Sequence, residues 1–476
     1  MRWSWLLALV ALVTSTVADS FTIDNSLWDN VRYYRNIDIA KSYVREVSLV
    51  EVINKSDQPQ DLYIFPVNDG YDAIDTVSYF RVTDEERGND IHPIKIVEGV
   101  YGIKFQYPIA PGTKFSFKVV YVYTNTLEAV PAKIGLDETQ QVLLKFNKFC
   151  YSPYTTLEYS LTVSGFTKGL EYQLPLDHYI SPNVASLPEV NGRIEDESKV
   201  LTYGPVDAEI APYTVKPLGL LYEHNKPLAR VYNLERNFWI PASDVGVVQT
   251  EDYYELVNNG AGLSLGFSRV DWIKGRYELA AEHFSLVRLL FPKDAETPYN
   301  GYYFTDKVGM VSTHFDTKND LMFLPRYPLF GDWKYNFTMG WSNLIENSVR
   351  KVLNESDVYI ARFPLLNTLD DITYDNVSIN IYLPENAEFL NATSHLEESS
   401  QVVGNELSYL DVSDGHVKVT LKYENLFDDM SKSYVYVKYR YSAQSYWAKV
   451  YKIAGFVFTG LMSFYALGLV DLSIRK

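Results

Sequence analysis

The chain has 476 residues, 47% of them hydrophobic and 15% aromatic, with 39 Tyr, 24 Phe and 8 Trp. Such a composition excludes low-complexity disorder, since it can bury an extensive core, and the length suits two or three domains. A formal net charge of −17 argues against nucleic-acid binding, and a single cysteine, Cys150, excludes an intrachain disulfide framework, a cysteine-based zinc site and an iron–sulfur cluster.

At the N-terminus, Arg2 precedes an apolar run from Leu6 to Val13 and small residues up to Ala18. A basic start, a short apolar core and a small-residue cut predict a secretory signal peptide over 1–18. Strand patterns dominate the chain beyond residue 18. Lys114–Tyr123, Val377–Leu383, His416–Tyr423 and Ser433–Tyr441 alternate β-branched or aromatic residues with polar ones. Turn clusters such as Ala110-Pro111-Gly112 and Leu383-Pro384-Glu385-Asn386 separate them. The expected fold is mainly β and sandwich-like.

The chain also matches itself. Tyr107-Pro108, Lys114-Phe115 and Phe117 recur as Tyr327-Pro328, Lys334-Tyr335 and Phe337, an offset of 220. The same offset lays Leu157, Tyr159, Leu161 and Val163 on Val377, Ile379, Ile381 and Leu383. Upstream, Arg35-Asn36, Ile39, Ser42 and Val44 recur as Arg236-Asn237, Ile240, Ser243 and Val245, an offset of 201. The difference between the offsets places extra length in the second copy around Trp272–Phe291, where Arg276–Phe284 reads as a helix. Two tandem β-sandwich-like domains are therefore expected, over 19–228 and 229–446.

Ile453–Val470 carries no charge and spans about 27 Å as a helix, matching a thin bilayer. Lys449 and Lys452 precede it and Arg475 and Lys476 follow, so flanking charge does not orient it. The signal peptide does: a type I topology results, with 19–446 lumenal and 471–476 cytosolic. Along the helix Gly455, Thr459, Ser463 and Ala466 form one small-residue face, which permits close approach of another helix. Asn-X-Ser/Thr sequons at Asn54, Asn336, Asn354, Asn376 and Asn391 are candidate glycan acceptors.

Reactive constellations are scarce. Gly262-Leu-Ser264-Leu-Gly266 fits a nucleophile elbow, yet no alternating βαβ pattern surrounds it, and an ordinary strand beside a turn explains it as well. The seven histidines show no compact metal-ligand spacing. Asp370, Asp371 and Asp375 lack the glycine and terminal glutamate of a calcium loop and read as a solvated acidic loop. No catalytic, cofactor-binding or metal-binding residue is assigned.

Tyr302–His314, Pro325–Tyr335, Ala229–Arg236, Tyr253–Leu256 and Gly266–Arg269 resemble the ribophorin I family, subunit 1 of the eukaryotic oligosaccharyltransferase. The short tail is similar to that of fungal members. The resemblance implies β-sandwich lumenal domains, residence in the endoplasmic reticulum membrane and a non-catalytic part in a complex. That complex transfers a preassembled glycan from dolichyl diphosphate to Asn in Asn-X-Ser/Thr sequons. Implied partners are the catalytic multispanning subunit, the other accessory subunits, the translocon and nascent acceptor polypeptide. No cofactor is implied, and the catalytic W-W-D-Y-G motif of the multispanning subunit is absent from this chain. Two other classes are carried beside this reading: a lumenal serine hydrolase using Ser264, and a cell-surface or cargo-binding β-sandwich ectodomain.

Overall fold

The computed structural model describes residues 23–469 except 73, 137, 196–198, 243–245, 275–284, 294–297 and 409–410. The signal segment 1–18, the Arg276–Phe284 helix and the tail 471–476 lie outside the described residues. Strands carry the fold because alternate side chains are apolar. Along Val44–Asn54 every second residue is buried, as a sheet with one face on a core requires.

Two eight-stranded sheets share one layout. The first contains β1 (Trp28–Asp38), β2 (Val44–Asn54), β3 (Val77–Asp84), β4 (Asp90–Ile91), β5 (Lys114–Tyr123), β6 (Thr155–Ser164), β7 (Arg193–Glu195) and β8 (Val200–Val206). Their order is β7-β8-β6-β1-β2-β5-β3-β4. The second contains β9 (Ala229–Trp239), β10 (Val247–Asn258), β11 (Asn300–Asp306), β12 (Gly309–Met310), β13 (Lys334–Leu344), β14 (Ile372–Tyr382), β15 (Ser400–Glu406) and β16 (His416–Phe427). Its order, β15-β16-β14-β9-β10-β13-β11-β12, is the same arrangement strand for strand. The parallel pairings also correspond, β1 with β6 and β9 with β14. Even a bulge is repeated, between Asn30 and Arg32 and between Val231 and Asn233.

A four-stranded and a three-stranded sheet accompany each large sheet. In the first half, Val142, Leu144 and Phe146 of the smaller sheet and Tyr63, Phe65 and Phe105 of the three-stranded one share a core with Ile37, Val50 and Val119. That core runs from Trp28 to Leu228. A second core joins Ala229–Tyr439 and takes in Tyr43 and Val122 from the first half. Buried aromatic rings pack edge-to-face and offset in both, for example Trp28 on Phe105 and Tyr254 on Phe337.

Register refines the self-match. The offset of 201 holds from β1 to β9, but Arg35 faces Ser48 and Arg236 faces Asp252, so β2 and β10 differ by 204. β6 and β14 are related by 218 rather than 220, since Arg35 pairs with Leu161 and Arg236 with Ile379. Side chains alternate with period two, so a shift of two residues leaves the pattern unchanged and the sequence match ambiguous. Extra length in the second half sits at 259–288, where the first half has only 55–59 between β2 and the strand Gln60–Pro66.

The halves are latched by charge. Lys41 pairs with Asp370 at 3.0 Å and with buried Asp428, whose other oxygen accepts from Tyr43 Oη at 2.7 Å. Asp371 accepts the Ser42 amide at 2.6 Å, and Asp375 holds Arg230 and Asn125. Asp371 and Asp375 thus depart from a solvated acidic loop, since cations and amides from both halves converge on them, whereas Asp370 stays solvent-exposed beside Lys41. A short parallel pairing, Lys133–Ile134 with Gly262–Leu263, adds a second tie between the halves.

Candidate functional site: a helix joint and an assembly surface

The C-terminal helix, Ala443–Leu469, begins ten residues before the apolar run at Ile453. Ser442 explains the start: its Oγ accepts the Ser445 amide at 3.2 Å, an N-cap. Tyr446, Trp447 and Tyr451 cluster in the first turns, as aromatic residues do where a helix meets a membrane surface. Hydropathy reads only the uncharged stretch and so misses these turns. The helix is long and apolar enough to cross a bilayer, and none of its residues is buried in the chain.

Lys449 roots this helix in the second half. Its Nζ lies 2.7 Å from Glu385 Oε2 and 3.6 Å from Asp411 Oδ1. Both acids are almost fully buried. Asp411 also faces His416 Nε2 at 3.0 Å, while His416 Nδ1 is 2.7 Å from Leu383 O. Glu385 accepts the Val412 amide at 2.9 Å and the Ser413 hydroxyl. Burial alone would raise its pKa, but the Lys449 ammonium, the Ser413 hydroxyl and the Val412 amide overcome this and hold it down at about 2. No sequence spacing announces this joint, because its members come from three separated segments. Beside it opens a cleft of about 880 Å3, lined by Trp239, Glu251, Tyr303, Trp341, His416 and Lys449 among others.

Gly455, Thr459, Ser463 and Ala466 lie exposed along one face. Thr459 Oγ1 donates to Gly455 O and Ser463 Oγ to Thr459 O, both at 2.8 Å. With the hydroxyls satisfied inside the helix, what this face offers a neighbour is close backbone approach. A Cβ built on Gly455, Gly460 or Gly468 meets no atom within 4 Å.

The sequons divide by burial. Asn354, Asn376 and Asn391 are exposed, and Asn336 is half-buried with its Nδ2 donating to Tyr253 Oη at 3.0 Å. Asn54 is buried: Nδ2 donates to Gln58 O and Ile109 O, both at 2.8 Å, and Oδ1 accepts from the Ser56 amide. Its counterpart Asn258 plays the same part, donating to Leu329 O and accepting from the Gly260 amide.

Ser264 is exposed, and its amide donates to Ile134 O at 2.9 Å, extending the short parallel pairing. The following helix starts only at Arg269, so no strand-to-helix elbow forms. Cys150 is buried, and burial pushes its thiol up to about 11. Among the described residues no group of three His, Cys, Asp or Glu side chains is arranged to hold a metal ion.

Overlays on solved structures are weak. An M1 zinc metallopeptidase from Deinococcus radiodurans covers 44% of this chain and 43% of its own, at 13% identity and TM-score 0.23. Yeast LTA4 hydrolase covers 45% and 33%, at 8% identity and TM-score 0.27; neither overlay bears on function. Sequence relatives are more extensive. The dolichyl-diphosphooligosaccharide–protein glycosyltransferase subunit 1 of Caenorhabditis elegans is 26% identical over 90% of this chain and 69% of its own. The Schizosaccharomyces pombe subunit 1 is 24% identical over 93% and 95%. Subunit 1B of Arabidopsis thaliana is 28% identical over 69% and 66%. The ribophorin I profile matches residues 28–468, and the chain belongs to the ribophorin I family.

Proposed function

We propose that this chain is an accessory subunit of oligosaccharyltransferase, without catalytic residues of its own, that supports assembly of the complex and handling of its acceptors. The carrying observation is the match to relatives named as subunit 1 of that transferase, with the Schizosaccharomyces pombe subunit covered over 95% of its length. The geometry agrees: two large sandwiches stand on one exposed helix with a small-residue face, a scaffold's arrangement. The chain resides in the endoplasmic reticulum membrane as a single-pass type I protein. Units over 19–228 and 229–446 face the lumen, and 453–470 crosses the bilayer. Its partners are the multispanning catalytic subunit, the other accessory subunits, the translocon and acceptor polypeptide. Gly455, Thr459, Ser463 and Ala466 pack against a partner helix.

Depletion of the chain in cells tests the functional side of this reading. Occupancy of Asn-X-Ser/Thr sites in a reporter glycoprotein falls when the chain is removed. Unchanged occupancy after complete depletion contradicts it.

A further inference from the structure

Sheet edges expose unpaired N–H and C=O groups, and native proteins blunt them with short strands, bulges, proline or charge. Among the described residues this chain blunts nearly all of its edges. The outer strands of the two large sheets are short at three of four ends: Arg193–Glu195, Asp90–Ile91 and Gly309–Met310. In the smaller sheets Glu388–Ser394 is broken by a bulge between Phe389 and Asn391, and Gln60–Pro66 by one between Gln60 and Leu62, with a closing proline.

β15 differs. It runs seven residues in unbroken register against β16, from Ser400 opposite Lys422 to Glu406 opposite His416. It holds no proline and only a terminal charge, and Glu406 is already paired with Lys418 at 2.8 Å. Every residue after Ser400 is exposed, with Val402 at 57% and Val403 at 44%. Gly404 sits mid-strand, and a Cβ there would meet nothing within 4 Å. A strand glycine over open space leaves room for another chain to approach. The counterpart in the first half, β7, has only three residues. Duplication therefore left one copy with a closed edge and the other with an open one.

We infer that the free edge of β15 is completed by an extended strand from a membrane-anchored partner subunit. This rests on the assembly reading above. Position selects the occupant. The Glu406 end lies opposite His416, which bonds the Asp411 that helps to hold Lys449 of the C-terminal helix. β15 thus rises from the helix joint, where a segment leaving the bilayer beside that helix meets it. A second copy is a poor occupant, because each carries a net charge of −17. The fitting segment is extended and low in acidic residues. Apolar side chains meet Val402 and Val403, and an aromatic ring covers Gly404.

The test uses the complex purified intact from membranes. Gln401, Val403 and Asn405 are replaced singly by p-benzoylphenylalanine, and the adducts are sequenced. Strand pairing gives cross-links to one partner subunit that step by two residues as the probe steps by two. Amide exchange at alternate β15 positions is also at least tenfold slower in the complex than in the dissociated chain. Adducts to a second copy, adducts without a register, or equal exchange in an intact complex overturn the inference and leave the assembly reading standing. A chain that runs alone, without the multispanning transferase, overturns the assembly reading and the inference with it.

Discussion

Arg35 and Arg236 hold equivalent places in the two halves and are bonded alike. Each lies on the first strand of its large sheet, and each donates Nη1 to the last carbonyl of a neighbouring strand: Asn147 O at 2.9 Å and Pro364 O at 2.8 Å. Their acids differ. Arg35 is held by Glu46 and, at 3.1 Å, by Asp69; Arg236 is held by Asp252 and, at 2.9 Å, by the neutral amide of Asn367. The first network buries two carboxylates around one guanidinium, whereas the second is balanced. The imbalance falls on Asp69, whose pKa burial raises to about 6, with Arg35 opposing and Glu46 assisting.

A carboxyl with a raised folded pKa stabilises the fold most when protonated. The Asp69 contribution is therefore complete below its ordinary 3.8 and is lost as pH rises to about 6, a fall of about 3 kcal/mol. Asp69→Asn copies the amide of the second half. The variant is expected to be more stable than wild type at pH 7 by about 1–3 kcal/mol, with the difference closing towards pH 4. Thermal unfolding across pH 4–7 measures it, and a less stable variant at pH 7 would refute the imbalance.

Glu385 behaves with the opposite sign. Its folded pKa is depressed from 4.5 to about 2, so its stabilisation is present above 4.5 and is lost as pH falls through 2. Lys449→Met leaves buried Glu385 without its cation and Asp411 with only His416, and destabilises the joint by about 3 kcal/mol. Limited proteolysis between Tyr439 and the helix is expected to quicken. The acid transition of the variant moves to higher pH, and an unmoved transition would count against the joint.

Asp428 is the centre of the latch between the halves. It accepts from Tyr43 Oη, from Lys41 and from the Asp371 amide at 2.8 Å. Asp428→Ala strands these donors and costs about 3 kcal/mol. Lys41→Met, at a partly exposed position, costs less. Differential scanning calorimetry of the full chain reads both, and equal effects would place the latch elsewhere.

Glycan occupancy should follow exposure. Replacement of Asn354, Asn376 or Asn391 by Gln shifts mobility by one glycan each. Asn54→Gln gives no such shift but lowers stability by about 1–3 kcal/mol, because the buried amide closes the turn after β2. A glycan found on Asn54 by mass spectrometry would contradict this.

Much of the fold was legible in the sequence, and the failures have physical causes. Period-two alternation revealed the strands and the duplication, but it is blind to a shift of two and so aligned Leu161 with Ile381 where the register gives Ile379. Arg35 and Arg236 stood out as a repeat. Their acids did not, since Glu46 lies opposite Ile37 and Asp252 opposite Arg236 itself. Asp371 and Asp375 read as solvated, as Asp370 is, because the cations that shield them are distant in sequence. Asn54 matched a sequon by pattern, while its role as a buried turn-closing amide depends on Ile109, remote in the chain. The helix joint combines Glu385, Asp411 and Lys449, which only tertiary folding brings together.

Recovery of an affinity-tagged chain from microsomes in mild detergent tests the central claim most directly. Subunit membership predicts co-elution in constant ratio with the multispanning transferase subunit and the other accessory subunits. A chain that elutes alone from fully solubilised, active membranes would contradict it.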